Sequence, residues 1–306
     1  MWHSQIVVIA LFFLFGLIVG SFLNVCITRI PEGLSIVSPG SRCPKCETPI
    51  KPYDNVPVLA WLWLGGKCRA CGNPISSMYP AIELVTALLF VACYLTYGLT
   101  PETFKWLFFV SIIIVLTITD FRVRILPDAV NFFGFGLGLA LAVRISPIDP
   151  SCLRIVDHVP ILGKNAAILG VSCAVFGAAA GSLLLLAAAA LYKLVRGREG
   201  MGMGDVKMML MVGTFLGIQG TFLTLLFGTL LGSVIGLLLV MVLFLTGWKS
   251  KTAERASRKG LGSISSLRWT ISSRYQLPLG TFLGVAALLV VFFSHWLDMQ
   301  AYRFMR

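Results

Sequence analysis

Long apolar runs recur along the whole chain, and they limit its possible folds more than any other feature. A run of about 17–25 apolar residues is long enough for one helix to cross the hydrocarbon core of a bilayer. Only 12% of the 306 residues are charged, whereas about a quarter of the residues in a soluble domain are charged. The sequence therefore predicts an all-α polytopic membrane protein rather than a soluble domain with one anchor.

Eight of these runs are candidate transmembrane helices. They cover residues 5–23, 80–97, 104–119, 129–145, 166–192, 206–218, 221–246 and 279–297. The first run has no basic region before it and no clear small-residue cleavage site after it. We therefore interpret it as a retained helix rather than a signal peptide. We expect about eight transmembrane helices, with a small polar domain between the first and the second.

The distribution of lysine and arginine predicts the orientation of these helices. With the N-terminus outside, four inner loops hold 19 of the 25 basic residues, and basic residues collect in cytoplasmic loops. The same rule explains the net charge of +12, so we expect no nucleic-acid partner. The last inner loop, 247–278, is rich in Ser, Lys and Arg. It is either a mobile segment or an amphipathic segment that lies on anionic lipid, and we assign it no catalytic role.

The polar domain between the first two helices contains two CxxC motifs. We place the domain boundaries at 1–23 for the first helix, 24–79 for the polar domain and 80–306 for the membrane domain. The motifs CPKC and CRAC supply Cys43, Cys46, Cys68 and Cys71. Two such pairs favour one tetrahedral Zn²⁺ site. Four thiolate ligands leave no open position for a substrate, so we expect a structural zinc ion.

Spacing alone leaves other states open for these four thiols. Two disulfides or four free thiols fit the same sequence, although a reducing cytoplasmic compartment disfavours disulfides. The other cysteines lie in apolar or outer positions, and we expect them to pack rather than react. They are Cys26, Cys93, Cys152 and Cys173.

Two aspartates lie where predicted membrane helices meet the inner face. Asp120 closes the third helix, Asp205 opens the sixth, and the chain crosses the membrane twice between them. Ionisable groups at such places are costly and are candidates for function. Two close carboxylates can perform aspartic-protease chemistry, in which the ionised one activates water and the protonated one polarises the scissile carbonyl. Helix dipoles favour Asp205 as the ionised member, because it begins a helix.

Simpler roles explain the same aspartates. Asp205 could only cap its helix, and we expect Asp128, which follows Pro127, to cap the fourth helix. A transporter that uses Asp120 and Asp205 as a proton or ion relay fits their spacing nearly as well as a protease. The residue pattern alone leaves both classes open.

Six blocks of the sequence, in order, resemble the type IV prepilin peptidases, also called prepilin leader peptidase/N-methyltransferases. They are GSFLNVCITRIP (20–31), the cysteine-containing block 43–76, YPAIELVTALLF (79–90), TDFRVRILPD (119–128), GMGDVKMMLMVGTFLG (202–217) and LPLGTFLG (277–284). The last block is the weakest likeness. It reads Pro278-Leu279-Gly280-Thr281, where the family usually reads closer to Pro-Phe-Gly-Pro.

The resemblance implies a function and a site. It matches the catalytic aspartates to Asp120 and Asp205, with Gly202, Gly204 and Lys207 as active-site support. It implies that the basic leader of a prepilin or pseudopilin is cut at the cytoplasmic face of the bacterial inner membrane. The new N-terminal residue would then be methylated, with S-adenosylmethionine as donor. No Gly-rich strand–turn–helix pattern occurs in the sequence to hold that donor, so its site stays unassigned. The acidic side chains available to a basic leader are Glu32, Glu47, Asp54 and Glu83.

Overall fold

The computed structural model describes residues 2–145, 150–158, 165–197, 202–245 and 278–304. Within these ranges the chain is helical and forms no strand, apart from two isolated bridges in the cysteine-containing domain. The all-α prediction is therefore confirmed. Nearly all of the basic loop predicted at 247–278 lies outside the described residues.

The described ranges contain nine α-helices. They are α1 (Trp2–Arg29), α2 (Leu59–Trp63), α3 (Met78–Tyr97), α4 (Pro101–Val123), α5 (Asp128–Ala142), α6 (Pro150–Asp157), α7 (Ala166–Arg196), α8 (Met203–Leu245) and α9 (Leu279–Phe304). Five of them, α1, α3, α4, α7 and α8, are long and apolar enough to cross a membrane, and α5 and the first part of α9 are shorter apolar helices. Every predicted transmembrane run is thus helical over most of its length, although α5 ends three residues before the predicted boundary.

The cysteine-containing domain marks one side of the helix bundle, which we call the cysteine side. α1 ends and α3 begins at this domain. Short connections then reverse the chain, so α4 ends on the cysteine side and α5 begins there. α7 also ends on the cysteine side, where α8 begins. The carboxylates predicted to form the site therefore lie at the same side of the bundle as the cysteines.

α8 consists of two helices joined at Gly217, whose φ of 71° and ψ of −168° are not helical. A Cβ added at Gly181 of α7 would lie 2.5 Å from the Thr221 methyl group and 3.3 Å from the Met209 carbonyl oxygen. Residues on both sides of Gly217 therefore lie at the same level, so the chain turns back there. Glycine adopts such a backbone without steric cost. The prediction of two separate helices in this part of the sequence is confirmed.

α4 is the most buried of the five candidate membrane-spanning helices. In its apolar 18-residue stretch, 67% of the residues are buried inside the protein. Phe109, Ile113 and Leu116 along it are fully buried, and α1, α3, α5 and α9 pack around it. A polar side chain on α4 consequently faces protein rather than lipid, which is where ionisable groups in membrane proteins are found. Asp120 lies in the last turn of this helix.

α7 and α8 approach each other through glycines. A Cβ added at Gly177 would collide with the backbone oxygen of Gly213 and lie 2.8 Å from the Cα atom of Gly217. Small residues allow membrane helices to bring their backbones this close. The contact fixes the first part of α8, which carries Asp205 in its first turn.

Cys152 of α6 and Cys173 of α7 form a disulfide, with their Cα atoms 5.5 Å apart. The expectation that these two cysteines only pack is therefore wrong. α6 and the start of α7 both lie on the side opposite the cysteine side. A sequence separation of 21 is enough to bring the two thiols together there. Cys26 and Cys93 are buried and free, as expected.

Candidate active site and metal centre

Asp120 is buried at the end of α4, with 6% of its surface exposed. The helix ends at Val123 because Arg124 adopts a left-handed backbone, with φ of 56°. The Arg124 backbone N–H donates to the Asp120 carbonyl oxygen at 2.9 Å. This cap holds the last turn of α4 and therefore the position from which the Asp120 side chain projects.

The beginning of α9 contacts the Asp120 carboxylate directly. The backbone N–H of Thr281 donates to Asp120 Oδ2 at 2.6 Å, and the Thr281 hydroxyl donates to the same oxygen at 3.0 Å. A Cβ added at Gly280 would lie 2.9 Å from Asp120 Oδ2 and 2.9 Å from Leu126 Cδ1. Glycine at 280 is thus required for α9 to start against the carboxylate.

Asp205 is buried in the first turn of α8, with 9% of its surface exposed. It is the third residue of the helix, so it is not the N-cap. Within the part of the chain that the structure describes, no hydrogen-bond donor reaches its carboxylate. Its backbone N–H donates to the Gly202 carbonyl oxygen at 3.3 Å.

The structure brings Asp120 and Asp205 close to each other. Gly284 of α9 lies between Thr117 and the Met208 side chain, and a Cβ added to it would meet both. Thr117 is one turn before Asp120 on α4, and Met208 is one turn after Asp205 on α8. Both carboxylates therefore lie one turn further toward the cysteine side, near enough to interact electrostatically.

Leu126 lies between the start of α8, at Gly204, and the start of α9, at Gly280. A Cβ added at Gly204 would come within 3.0 Å of Leu126 Cβ, so Gly204 provides the room that this side chain occupies. Among the described residues, a Cβ at Gly202 would find only Asp205 Oδ2 and the Gly204 nitrogen, each at 4.0 Å, so Gly202 lies beside the carboxylate. Neither glycine has a positive φ, so their role is space rather than an unusual backbone conformation.

Lys207 does not point at either carboxylate of the pair. Its Nζ contacts both oxygens of Asp128, at 2.8 and 2.7 Å, and ties the start of α8 to the start of α5. The expectation that Asp128 caps the fourth helix is wrong. Pro127 occupies the N-cap position, and no side chain caps the helix. The Asp128 carboxylate is instead turned toward Lys207.

Sequence reasoning missed the contact of Thr281 with Asp120 and the packing of Leu126 against Gly204 and Gly280. Thr281 is 161 residues from Asp120, so no local pattern connects the two. The only signal was the LPLGTFLG block that contains Thr281.

The four cysteines of the CxxC motifs fit a tetrahedral metal ion. Their Sγ atoms all lie within 4.8 Å of one another. The Cys43–Cys71 and Cys46–Cys68 Sγ distances are 3.8 and 4.0 Å. A zinc tetrahedron with bonds of about 2.3 Å has sulfur–sulfur edges of about 3.8 Å. All four cysteines are free, which excludes the alternative of two disulfides.

The two CxxC motifs belong to a repeated local fold, C-x-x-C-x-x-P-I, that the sequence analysis did not identify. Cys43 N–H donates to the Thr48 carbonyl oxygen in the first copy, as Cys68 N–H does to that of Asn73 in the second. Glu47 in the first copy has a φ of 56°, where the second copy has a glycine with a φ of 68°. Each copy therefore presents its two thiols in the same way.

Hydrogen bonds favour the thiolate form of two of these cysteines. The Asn73 side-chain amide donates to Cys71 Sγ at 3.3 Å and, together with the Asn73 backbone, lowers the pKa of that thiol to about 6. Backbone N–H groups of Cys46 and Lys45 lower the pKa of Cys43. The thiolate is the form that binds metal, so these two thiols favour a bound cation, whereas the neighbouring cysteine thiols raise the pKa of Cys68.

A hydrogen bond attaches this domain to the membrane helices, and a second one joins α1 to α3 beside the domain. The Val58 N–H donates to Glu83 Oε2 at 2.8 Å, and the Asn24 side-chain amide donates to the Tyr79 carbonyl oxygen at 3.0 Å. Asp54 pairs with Arg69, whose hydrogen bonds lower the pKa of the Asp54 carboxyl. Glu83 and Asp54 thus have internal partners. Of the four acidic residues predicted to be available to a leader, the exposed ones are Glu32 and Glu47.

These features define a class, namely polytopic membrane proteins with a carboxylate pair at one membrane edge and a cysteine metal centre beside it. Comparison with known proteins narrows this class. Residues 14–97 match the Bacterial Peptidase A24 N-terminal domain, and residues 107–237 match the Type IV leader peptidase family. No solved structure matches the chain.

Several relatives carry the name prepilin leader peptidase/N-methyltransferase. The relative from Myxococcus xanthus is 36% identical over 84% of this chain and 70% of its own length. The relative from Bacillus subtilis is 36% identical over 74% of this chain and 82% of its own. The relative from Pseudomonas aeruginosa is 33% identical over 74% of this chain and 79% of its own length. The chain therefore belongs to the type IV leader peptidase family. It is a membrane peptidase with methyltransferase activity, which confirms the resemblance and argues against a transporter.

Proposed function

We propose that this protein removes the basic leader from a type IV prepilin or pseudopilin and then methylates the new N-terminal residue. The observation that carries the proposal is the pair of buried carboxylates, Asp120 and Asp205, at the cysteine-side ends of α4 and α8. In such a substrate, a polar leader meets an apolar helix at the membrane edge. The bond to be cut therefore lies at the depth of the two carboxylates.

The hydrogen bonds around the pair favour Asp120 as the ionised member, in place of Asp205. Two donors from Thr281 reach Asp120, and a hydrogen bond to a charged group contributes about 1.5–3 kcal/mol. A helix dipole, which favoured Asp205, contributes about 0.3–1 kcal/mol. The two carboxyl groups share one proton and titrate as a unit.

This assignment gives each aspartate a step in peptide hydrolysis. The Asp120 carboxylate accepts a proton from a water molecule as the water oxygen attacks the scissile carbonyl carbon. Asp205, protonated, donates a hydrogen bond to the carbonyl oxygen and so stabilises its developing negative charge. Gly202 carries no side chain beside Asp205, which lets the substrate backbone approach that carboxylate closely. Lys207 supports the site indirectly, by holding α5 against α8.

The proposal includes two groups that the protein would bind, a zinc ion and S-adenosylmethionine. Zinc held by Cys43, Cys46, Cys68 and Cys71 would have a structural role, since the small domain has little apolar core and metal binding would supply folding free energy. S-Adenosylmethionine is the methyl donor, and its site stays unassigned. We propose the same three-part organisation, with 1–23 as the first transmembrane segment, which α1 extends to Arg29, 24–79 as the zinc domain and 80–306 as the peptidase domain.

We place the protein in the bacterial inner membrane, with the cysteine side facing the cytoplasm. The free thiols of the two CxxC motifs lie on that side and the Cys152–Cys173 disulfide lies on the opposite side. Disulfides persist in oxidising compartments and free thiols in reducing ones. A cysteine at exposed Arg144 should react with a membrane-impermeant maleimide in intact spheroplasts, whereas one at Glu47 should react only after lysis. The reverse pattern would invert the topology.

The test of the catalytic pair is co-expression of the chain with a prepilin, read as leader removal on a gel. Asp120→Asn and Asp205→Asn should each lower cleavage by at least about 10²-fold, a usual contribution of general acid–base groups. Asp157→Asn, on the opposite side of the bundle, is the matched control, and Asp128→Asn should keep most of the activity. If Asp128 is required and Asp120 is not, the pair is misassigned. Mass spectrometry of the mature N-terminus then tests methylation separately.

A further inference from the structure

The short helix α2 exposes an apolar face that other described residues cover only in part, with Asp54 beside the Trp63 side chain. Leu59, Leu62 and Trp63 lie at positions i, i+3 and i+4, which form one face of a helix, and they are 54%, 59% and 54% exposed. The opposite face is anchored. Ala60 is buried, and the Trp61 indole N–H donates to the Ile75 carbonyl oxygen at 3.1 Å.

The anchoring holds the apolar face outward. The Trp61 ring packs on Gly66, where an added Cβ would lie 2.9 Å from it. α2 therefore cannot rotate to bury Trp63 in place of Trp61 without breaking the hydrogen bond between Trp61 and Ile75. An apolar face held in this way points to a partner, because large exposed apolar patches on proteins mark interaction sites.

The start of α2 lies at the level of the membrane helices. The Val58 N–H, immediately before α2, donates to Glu83 Oε2 at 2.8 Å. Glu83 lies in the second turn of α3 and packs against Gly20 of α1. Phe22, which is nearer the cysteine side than Gly20, is still 50% exposed. The outward apolar surface of α1 thus extends past the level at which α2 is attached.

The backbone at Val58 shows that this attachment is firmly fixed. Val58 has a φ of 59°, a value that β-branched residues rarely adopt. Such a conformation persists only where the surrounding structure determines it. Here the bond to Glu83 and the start of α2 do so, and they place the helix beside the membrane edge rather than free in solution.

We propose that α2 lies in the cytoplasmic-leaflet interface of the bilayer, with Leu59, Leu62 and Trp63 among the lipid headgroups and upper acyl chains. The partner is lipid, because the bond to Glu83 attaches α2 beside α1, whose apolar Phe22 is still exposed at that level. Amphipathic helices lie in this plane, and tryptophan is enriched at this depth. Exposed Lys67, four residues after Trp63, is placed to meet anionic headgroups. The contact makes the bilayer a docking surface for the cysteine-containing domain, independently of the proposed cleavage reaction.

The test is photocrosslinking of the full chain in its native membrane, with benzoylphenylalanine in place of Leu62. The same group at Leu226, an exposed apolar residue of α8, is the lipid-facing control, and at Glu47 it is the solvent-facing control. Mass spectrometry of the labelled peptides identifies the adduct. We expect phospholipid adducts at positions 62 and 226 and none at 47. Crosslinks from position 62 to another protein or to a second copy, or no lipid adduct there while position 226 gives one, would overturn the proposal.

A second measurement tests whether Leu59 and Leu62 contact lipid together. With benzoylphenylalanine at Leu59, the exchange Leu62→Glu should lower the yield of lipid adduct several-fold, because a charge at this face opposes burial among lipid chains. Zinc content of the same sample reports whether the domain remains folded. An unchanged adduct yield in a zinc-loaded variant would count against the proposal. The first measurement decides it without any destabilising exchange.

Discussion

Thr281 donates two hydrogen bonds to one oxygen of Asp120, from its backbone N–H at 2.6 Å and its hydroxyl at 3.0 Å. The start of the last described helix therefore belongs to the carboxylate site, although 161 residues separate the two. The family motif to which this block is similar usually carries proline here, which has no N–H to donate. Thr281 gives this chain two donors in that place.

Replacing Thr281 by valine tests whether these bonds tune Asp120. Thr281→Val keeps the N–H and loses the hydroxyl, and cleavage should fall roughly tenfold, since a hydrogen bond to a charged group contributes about 1.5–3 kcal/mol. A carboxylate that loses a donor holds its proton more tightly, so the acidic limb of the pH–rate profile should move to higher pH. Thr281→Ser should restore both.

The control for that series is Thr229→Val. The Thr229 hydroxyl bonds only to carbonyls of its own helix, at Leu225 and Leu226. Its removal should leave the pH–rate profile where it is. If Thr281→Val lowers the rate without moving the profile, Thr281 merely holds α9 in place.

The ion pair between Lys207 and Asp128 should contribute little stability. Their side chains are 32% and 57% exposed, and exposed ion pairs are typically worth about 0.2–1 kcal/mol. A double-mutant cycle with Lys207→Met and Asp128→Asn, read by thermal unfolding, should give a coupling energy in this range. A much larger coupling would indicate that the pair is shielded from solvent by lipid or by substrate.

Metal removal should unfold the cysteine-containing domain and leave the helices intact. We expect one zinc ion per chain by elemental analysis. A chelator should make residues 33–77 sensitive to limited proteolysis, because metal binding supplies much of the folding free energy of such small domains. Cys71→Ser should lower the zinc content and Cys93→Ser, inside α3, should not. A domain that resists protease after complete metal loss would refute the structural role.

The close contact of α7 and α8 should not tolerate a methyl group. A Cβ at Gly177 would collide with backbone rather than with a movable side chain, and overpacking typically costs about 1–3 kcal/mol. Gly177→Ala should lower the unfolding temperature in detergent. At Gly136 an added Cβ meets nothing within 4 Å, so Gly136→Ala is the matched control. Equal behaviour of the two variants would contradict this packing.

The sequence predicted those features that depend on neighbouring residues in the chain or on the bilayer that surrounds the helices. The bilayer fixes how long an apolar helix must be, so the helices could be read directly from the apolar runs. Each CxxC motif positions its own thiols, which made the cysteine cluster predictable. Thr281, the Cys152–Cys173 bond and the pairing of Asp128 with Lys207 depend instead on helices that meet only in three dimensions. The exposed helix α2 was missed because five residues are too few to show a period.

The reversal of α8 at Gly217 gives the protein an uneven hydrophobic thickness. Its first part, 203–216, is about 21 Å long, and the 15 residues of α5 span about 22 Å. The hydrocarbon core of a bilayer is about 30 Å thick. α5 exposes Phe132 and Phe133, so surrounding lipid must thin to match it, at a modest cost per ångström of mismatch. The cleavage rate should therefore depend on the acyl-chain length of the surrounding lipid. We expect faster cleavage in vesicles of short-chain lipids than in vesicles of long-chain lipids.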